Sequence, residues 1–370
     1  MAQHVSKEQI FFESPDRINS LAYRMKKVVY FLVKNSLRLY NGVYFRRVRV
    51  YGLDQLPKNA GILFSPNHQC AFLDPLMVGC YYPKPVTSLT RSDVFGGPTQ
   101  WFLDALQMLP VYRIRNGFSS LKKNEVTFEK CYSILAKKGS VMMFSEGAHH
   151  GEYYLQPLSK GSSRLMIQAQ DKHPDTPMYI VPVGINFGNH KRPLCDVHLV
   201  FGTPISVKEY RQQQDPVAAI QALKERLTLG MKETLWLPEN DQAYPAKKQQ
   251  IHPRNTSMEF SALKQKLQTD QGLRPPKSFP RVGGVVTALA KWLNLPPFWV
   301  INKVLMRFED KVFHASMKYI LGLFVFPLWW GFLAAIIAPF TSLKATLLLM
   351  LTLITLLVGR QKLLLLKNNR

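Results

Sequence analysis

Cysteine and acidic side chains are scarce in this sequence, and each shortage closes off a class of protein. Only Cys70, Cys80, Cys131 and Cys195 are present among 370 residues. None pairs with another at C-x-x-C spacing and no histidine pair sits nearby, so neither a disulfide frame nor a zinc site is expected. They read as reduced thiols of a cytosolic setting. Acidic residues number 24 against 48 Lys plus Arg, a formal charge of +24. Such a surplus calls for an anionic partner: nucleic acid, an anionic membrane surface, or phosphate-bearing substrates. No nucleic-acid-binding motif accompanies the charge, and the basic residues gather beside apolar segments, so nucleic acid is not the expected partner. Long apolar runs are missing from the first part of the chain. The run at 28–33 is too short for the core of a secretory signal, and none is expected.

What is present falls into distinct regions. Residues 18–50 alternate basic and apolar, with Arg24, Lys26 and Lys27 before V-V-Y-F-L-V and Arg46, Arg47 and Arg49 after it. This pattern suits a helix lying on an anionic membrane, its long cations at the head groups, although an ordinary packed helix with a solvated basic face fits too. From about 48 to 235, short β-rich runs at 48–51, 62–65, 86–90, 141–144, 179–185 and 197–201 alternate with helical stretches. Helices are predicted at 75–82, 99–108, 119–137, 161–170 and 217–234. Such alternation argues for an α/β layer with a mixed, mostly parallel sheet flanked by helices. Residues 238–280 are rich in Pro, Gln, Lys and Asn and read as a linker or lid with little core of its own.

The last 90 residues change character. Residues 319–343 carry no charge over 25 positions, enough to cross a hydrocarbon core of about 30 Å. After Lys344, residues 345–359 add 15 uncharged positions, about 22 Å of helix. Cations flank both outer ends, Lys303, Arg307, Lys311 and Lys318 before and Arg360, Lys362, Lys367 and Arg370 after. By the positive-inside rule this is a transmembrane hairpin with both outer ends cytoplasmic, its second arm short enough to be shallow or re-entrant.

Four stretches carry chemistry. In S-P-N-H-Q-C-A-F-L-D, 65–74, Asn67, His68 and Asp74 crowd together after an apolar run. Histidine is the natural general base near neutral pH, and a carboxylate fixes its tautomer. Six positions apart, His68 and Asp74 do not share a helix face, so they meet only across a turn. Asp74-Pro75 equally suits a helix cap, with Asn67-His68 a mere loop. In M-L-P-V-Y-R-I-R, 108–115, Arg113 and Arg115 end a strand-like run; their planar forks suit phosphate, or they form a solvated basic edge. In V-M-M-F-S-E-G-A-H-H, 141–150, a strand delivers Glu146 and Gly147 at its C-terminal end, where α/β sites gather. Lys160-Gly161 then opens a helix whose N-terminus favours anions. His149 and His150 are expected at the surface, and no metal is expected for want of a further ligand. In Y-I-V-P-V-G-I-N, Pro182 interrupts an apolar strand, which suits an edge or bulge that shapes a site wall.

In this order, N-H…D, Arg, F-x-E-G and V-P-V-G resemble the glycerolipid acyltransferase family, which includes glycerol-3-phosphate and lysophosphatidate acyltransferases. Five residues separate His68 from Asp74 where the family commonly has four, which is similar to a subgroup containing fungal-type glycerol-3-phosphate and dihydroxyacetone-phosphate acyltransferases. Ser145 stands in the family's proline position, and Gln107 where a glycine is usual. The resemblance implies that His68, held by Asp74, deprotonates a glycerol hydroxyl, which attacks the thioester of acyl-CoA or acyl-carrier protein. It implies acceptor contacts at Arg113, Glu146 and Gly147, with Lys160, Arg115, Asn67 and Pro182 completing the expected site. No metal or redox cofactor is implied. Lysophospholipid remodelling or transfer between phospholipids without CoA are alternative activities, and a membrane scaffold without activity is a further one. The expected organisation is a membrane-associated segment 1–47, a catalytic domain 48–237 on the cytoplasmic face, a linker or lid 238–280, and a membrane anchor 281–370.

Overall fold

The computed structural model describes residues 21–98, 100–112, 118–191, 193–212, 215–275 and 281–368. Arg113 and Arg115 lie outside the described residues. The strands are β1 (Arg47–Tyr51), β2 (Gly61–Pro66), β3 (Thr87–Arg91), β4 (Met108–Val111), β5 (Ser140–Met142), β6 (Met178–Phe187), β7 (Asp196–Phe201) and β8 (Ile205–Ser206). They form one sheet in the order β1-β7-β6-β2-β5-β3-β4, with β8 on β6. Parallel pairs join β1 to β7, β2 to β5 and β6, and β3 to β4 and β5; β6 meets β7 and β8 antiparallel. The sheet is therefore mixed and mostly parallel, as the alternation predicts. All six residues of β2 are buried, because a central parallel strand is covered on both faces.

The helices in chain order are α1 (Leu21–Tyr44), α2 (Leu73–Tyr81), α3 (Gln100–Ala105), α4 (Phe118–Ala136), α5 (Gly161–Lys172), α6 (Val207–Gln212), α7 (Pro216–Thr234), α8 (Tyr244–Gln249), α9 (Phe260–Thr269), α10 (Arg281–Leu293), α11 (Leu295–Leu305), α12 (Phe313–Ile337) and α13 (Leu343–Asn368). Two cores cover the two faces of the sheet. One joins Phe64, Val183 and Ile185 to Leu37 of α1, Met77 of α2 and Tyr319 of α12. The other joins Leu63, Val141 and Ile180 to Leu135 of α4, Leu165 of α5 and Leu223 of α7. At Gly184 a Cβ would stand 1.9 Å from the Thr234 carbonyl oxygen, so only glycine lets the end of α7 approach β6 this closely.

Pro182 is not on an edge strand. β6 lies inside the sheet, and Pro182 pairs with Ser65 of β2. It sits where β6 changes its other partner, from β8 opposite Tyr179 and Ile180 to β7 opposite Val183. At that handover a missing N–H costs little, while the Pro182 carbonyl accepts from Gly202 N–H at 2.8 Å. Its ring packs toward Gly202 and Gly230 of α7. It therefore belongs to the α7 face of the sheet, away from the face that carries α2.

From residue 21 on, the 18–50 stretch is two elements, α1 and β1, and part of its charge turns inward. Arg46 pairs with Asp196 through Nε at 3.0 Å, both side chains nearly wholly buried. Arg49 Nη2 donates to the Ser257 carbonyl at 2.7 Å. On α1, however, Met25, Val28, Leu32, Leu39 and Val43 form an exposed apolar stripe at helical spacing.

Of the stretch read as a linker or lid, the described residues 238–275 carry more core than their composition predicts. Tyr244, Ile251, Leu263 and Leu267 pack with Trp236, Leu237 and Tyr153 into a small apolar cluster. Asn255 and Thr256 are fully buried, and Thr256 Oγ1 donates to Asp196 Oδ2 at 2.7 Å. Paired polar side chains, invisible to a composition count, fix this segment to the main body.

At the C-terminus, 313–340 and 343–360 are helical, and both are long and apolar enough to cross a membrane. Leu328 is 72% exposed and Phe340 85%. α13 runs for 26 residues, about 39 Å, so its second arm is longer than the uncharged run of 345–359. The base of α12 packs against the body: Tyr319 is buried among Tyr40, Tyr44 and Phe45, and its hydroxyl donates to Asn41 Oδ1 at 2.6 Å.

Candidate active site

Parallel strands β2 and β5 bring the first and third motifs together at their C-terminal ends, since Phe64 pairs with Met142. Beyond β2 the chain turns before entering α2. Asp74 does not cap that helix: α2 starts at Leu73 and shows no side-chain cap. The fully buried carboxylate instead turns back toward the loop. Asp74 Oδ2 accepts from Cys70 N–H at 2.7 Å and lies 2.9 Å from His68 Nδ1. This network assigns the proton to Nδ1 and leaves the lone pair on Nε2, which bonds no described protein group. The imidazole stacks on Phe144 with ring centroids 4.0 Å apart. Cys70 is no rival nucleophile: burial, with the Asp74 charge adding, pushes its thiol well above the ordinary value.

Glu146 holds the loops together. Its Oε1 accepts from His68 N–H at 2.7 Å, and its Oε2 accepts from Gln156 N–H at 3.0 Å and lies 2.8 Å from His150 Nε2. The carboxylate is fully buried, and these bonds tie the two loops together. Asn67 is likewise occupied. Its amide donates to the Ile185 carbonyl at 3.2 Å and accepts from Ile185 N–H at 2.7 Å, stitching the loop to β6. Both residues hold the histidine loop in place. Gly147 has φ +75, and nothing lies within 4 Å of where a Cβ would stand. Lys160 is exposed at the start of α5. Ser145, where the family has proline, is buried and links Ser65 Oγ at 2.5 Å to Ser162 Oγ at 2.7 Å. Among the described residues no group of three or more His, Cys, Asp or Glu side chains is placed to hold a metal.

His149 and His150 are not the surface residues expected; their side chains are 14% and 18% exposed. The His149 ring stands edge-on to His68, centroids 5.5 Å apart. Its Nε2 lies 2.9 Å from Asp310 Oδ2. That hydrogen bond, with one from Val312 N–H, holds the Asp310 carboxyl below its ordinary range. Phe144, Gln156 and Asp310 also escaped sequence reading. Phe144 stood in the quoted F-x-E-G, but nothing local signals that it faces His68.

Residues 47–186 match the family model described as Acyltransferase. Glycerol-3-phosphate O-acyltransferase 1 of Saccharomyces cerevisiae is 27% identical over 109 residues, 28% of this chain and 14% of that protein. An uncharacterised acyltransferase of Schizosaccharomyces pombe is 29% identical over 73 residues, 20% of this chain and 11% of that one. The chain thus matches less than a fifth of the length of either yeast relative. The 1-acyl-sn-glycerophosphate acyltransferase PlsC of Thermotoga maritima superposes with a TM-score of 0.42 at 16% identity, covering 57% of this chain and 81% of that one. The family match and the yeast relatives support the glycerolipid acyltransferase family that the motifs resemble.

Proposed function

We propose that the protein transfers a fatty acyl chain from acyl-CoA or acyl-carrier protein to a hydroxyl of glycerol phosphate or lysophosphatidate, as a step of phospholipid synthesis. The observation that carries this reading is the His68–Asp74 contact of 2.9 Å within the stretch that matches the family. His68 Nε2 takes the acceptor hydroxyl proton as the oxygen attacks the thioester carbonyl. The C–O bond forms, the C–S bond breaks, and the thiolate leaves, taking up the proton from His68. A thiolate needs no strong acid to depart, so one base serves both steps. Asp74 keeps the ring oriented and stabilises the imidazolium between them. No metal or redox cofactor takes part in the reaction written this way.

The acceptor's phosphate suits the excess of cations, with Arg113, Arg115 and Lys160 as its proposed contacts. Gly147, exposed and open, lets the acceptor approach the loop backbone. Anionic lipids hold the basic, apolar-striped surface of α1 and the C-terminal helices in the membrane, with the catalytic domain on the cytoplasmic side. The test is thiol release in membranes or detergent, followed with a thiol-reactive dye on a panel of acceptors. His68→Ala is expected to abolish release while remaining folded and membrane-bound. Turnover at the wild-type rate in that variant would defeat the mechanism. A panel in which only lysophospholipids are acylated would move the acceptor to remodelling.

A further inference from the structure

The turn that delivers Asp74 to His68 is gripped from a distant part of the chain. Between the two residues, Leu73 N–H donates to the Cys70 carbonyl at 3.0 Å, closing a tight turn. Ala71 in that turn has φ +46, a left-handed conformation that a non-glycine residue adopts only at a cost of about 1 kcal/mol or more. A turn of this kind persists where its surroundings over-determine it. The surroundings include Ser316, fully buried in the first turn of α12. Its hydroxyl donates to the Cys70 carbonyl and accepts from Leu73 N–H, the latter at 3.1 Å. Cys70 N–H in turn donates to the same Asp74 oxygen that faces His68 Nδ1. One hydroxyl therefore clamps both ends of the turn and, through the backbone of residue Cys70, whose carbonyl it holds and whose N–H reaches Asp74, fixes the carboxylate oxygen that orients the base.

Ser316 is itself held. Ala315 and Tyr319 on the same helix are buried, and the Tyr319 hydroxyl is tied to Asn41. Just before α12, Asp310 bonds His149, and the Phe313 ring stands edge-on to His149 with centroids 5.0 Å apart. The foot of the helix thus touches both loops that build the site. We propose that Ser316 is a positioning residue for the His68–Asp74 pair, so that the first turn of a membrane-spanning helix is a working part of the acyl-transfer site rather than an anchor alone.

This rests on the reading of His68 as base, and the experiment separates the two. Wild type and His68→Ala are compared first in the same lipid or detergent; release that survives His68→Ala overturns the reading. Ser316→Ala removes one buried oxygen and adds no volume. It is expected to lower kcat about 10- to 100-fold, the scale of a small misplacement of a catalytic group, with KM for donor and acceptor within about twofold. Ser316→Thr is expected to restore most of kcat, and Ser316→Val, of the same shape without the hydroxyl, is expected not to. Deuterium uptake at residues 70–74 should rise in the Ala and Val variants and not in the Thr variant. This readout is independent of turnover. Wild-type kcat in Ser316→Ala, or equal losses in the Thr and Val variants, overturns the proposal while leaving the reading of His68 intact. So does unchanged deuterium uptake in Ser316→Ala, whatever the activity shows.

Discussion

Asp74→Asn tests the charge of the carboxylate apart from its shape. Asp74 is fully buried, and its Oδ2 receives both Cys70 N–H at 2.7 Å and the His68 ring nitrogen at 2.9 Å. An asparagine that presents its oxygen to those donors keeps the geometry but loses the negative charge. An imidazolium and a carboxylate at this separation attract by about 6 kcal/mol at an effective dielectric of about 20. At about 1.4 kcal/mol per decade, that sets a ceiling of roughly four orders of magnitude on the rate lost with the charge. An asparagine turned the other way presents NH₂ to His68 and drives the ring toward the wrong tautomer, with a similar loss. Either way the second amide atom occupies the place of Oδ1, which has no hydrogen-bond partner. The expected fall in kcat is therefore about 10³- to 10⁴-fold. Thiol release measures it, with circular dichroism and gel filtration to show a folded chain. A folded Asp74→Asn enzyme within tenfold of wild type would refute the argument, because the carboxylate charge would then not assist proton transfer.

Two predictions concern stability outside the site. Asp196→Ala strands the buried Arg46 guanidinium and removes the acceptor of Thr256, which should cost about 3–5 kcal/mol and be seen as a lowered Tm in detergent; an unchanged Tm would remove this pair from the fold's supports. His198 and His190 are pushed down to about 3 and about 4, by burial first and then by neighbouring cations, Arg49 for His198 and Lys191 for His190. Both stay neutral when folded but take up protons when unfolded below about pH 6.5. Stability should therefore be full above that pH and fall on acidification toward pH 4, by at most about 1.4 kcal/mol per unit for each histidine. His198→Gln, whose amide oxygen can still accept from Arg49, should flatten the slope, and a slope identical to wild type would contradict this.

Local patterning carried much of the fold into view. The six strands read from β-rich runs correspond to β1, β2, β3, β5, β6 and β7 within a few residues. The strand-like run read ahead of Arg113 and Arg115 is β4. The helix read at 99–108 is only α3, because the chain turns at Leu106 and Gln107, where Gln107 has φ +56, and Met108 already opens β4 against β3. β8, two residues long, is defined only by its partner on β6. The proximity of His68 and Asp74 was legible because a turn between them was the one local way to join them. What Asp74 does was not, since an aspartate before a proline reads as a cap until its side chain is seen turned the other way. Contacts across more than 200 residues, such as Arg49 with Ser257 or Ser316 with Cys70, leave no periodic trace. Cations on an amphipathic stretch look solvated until a distant carbonyl or carboxylate claims them, as with Arg46 and Arg49.

Those long-range contacts bear on the order of assembly. β1 is an edge strand, and its neighbour β7 begins at Asp196, some 150 residues later in synthesis. The carbonyls that receive Arg49 follow about 207 to 209 residues after it, and the tyrosine that covers α1 follows later still. β1, the first strand among the described residues, is therefore among the last to dock, and until then it offers an unpaired edge. Loop-closure entropy of this size favours slow maturation and a nascent chain that depends on protection from aggregation.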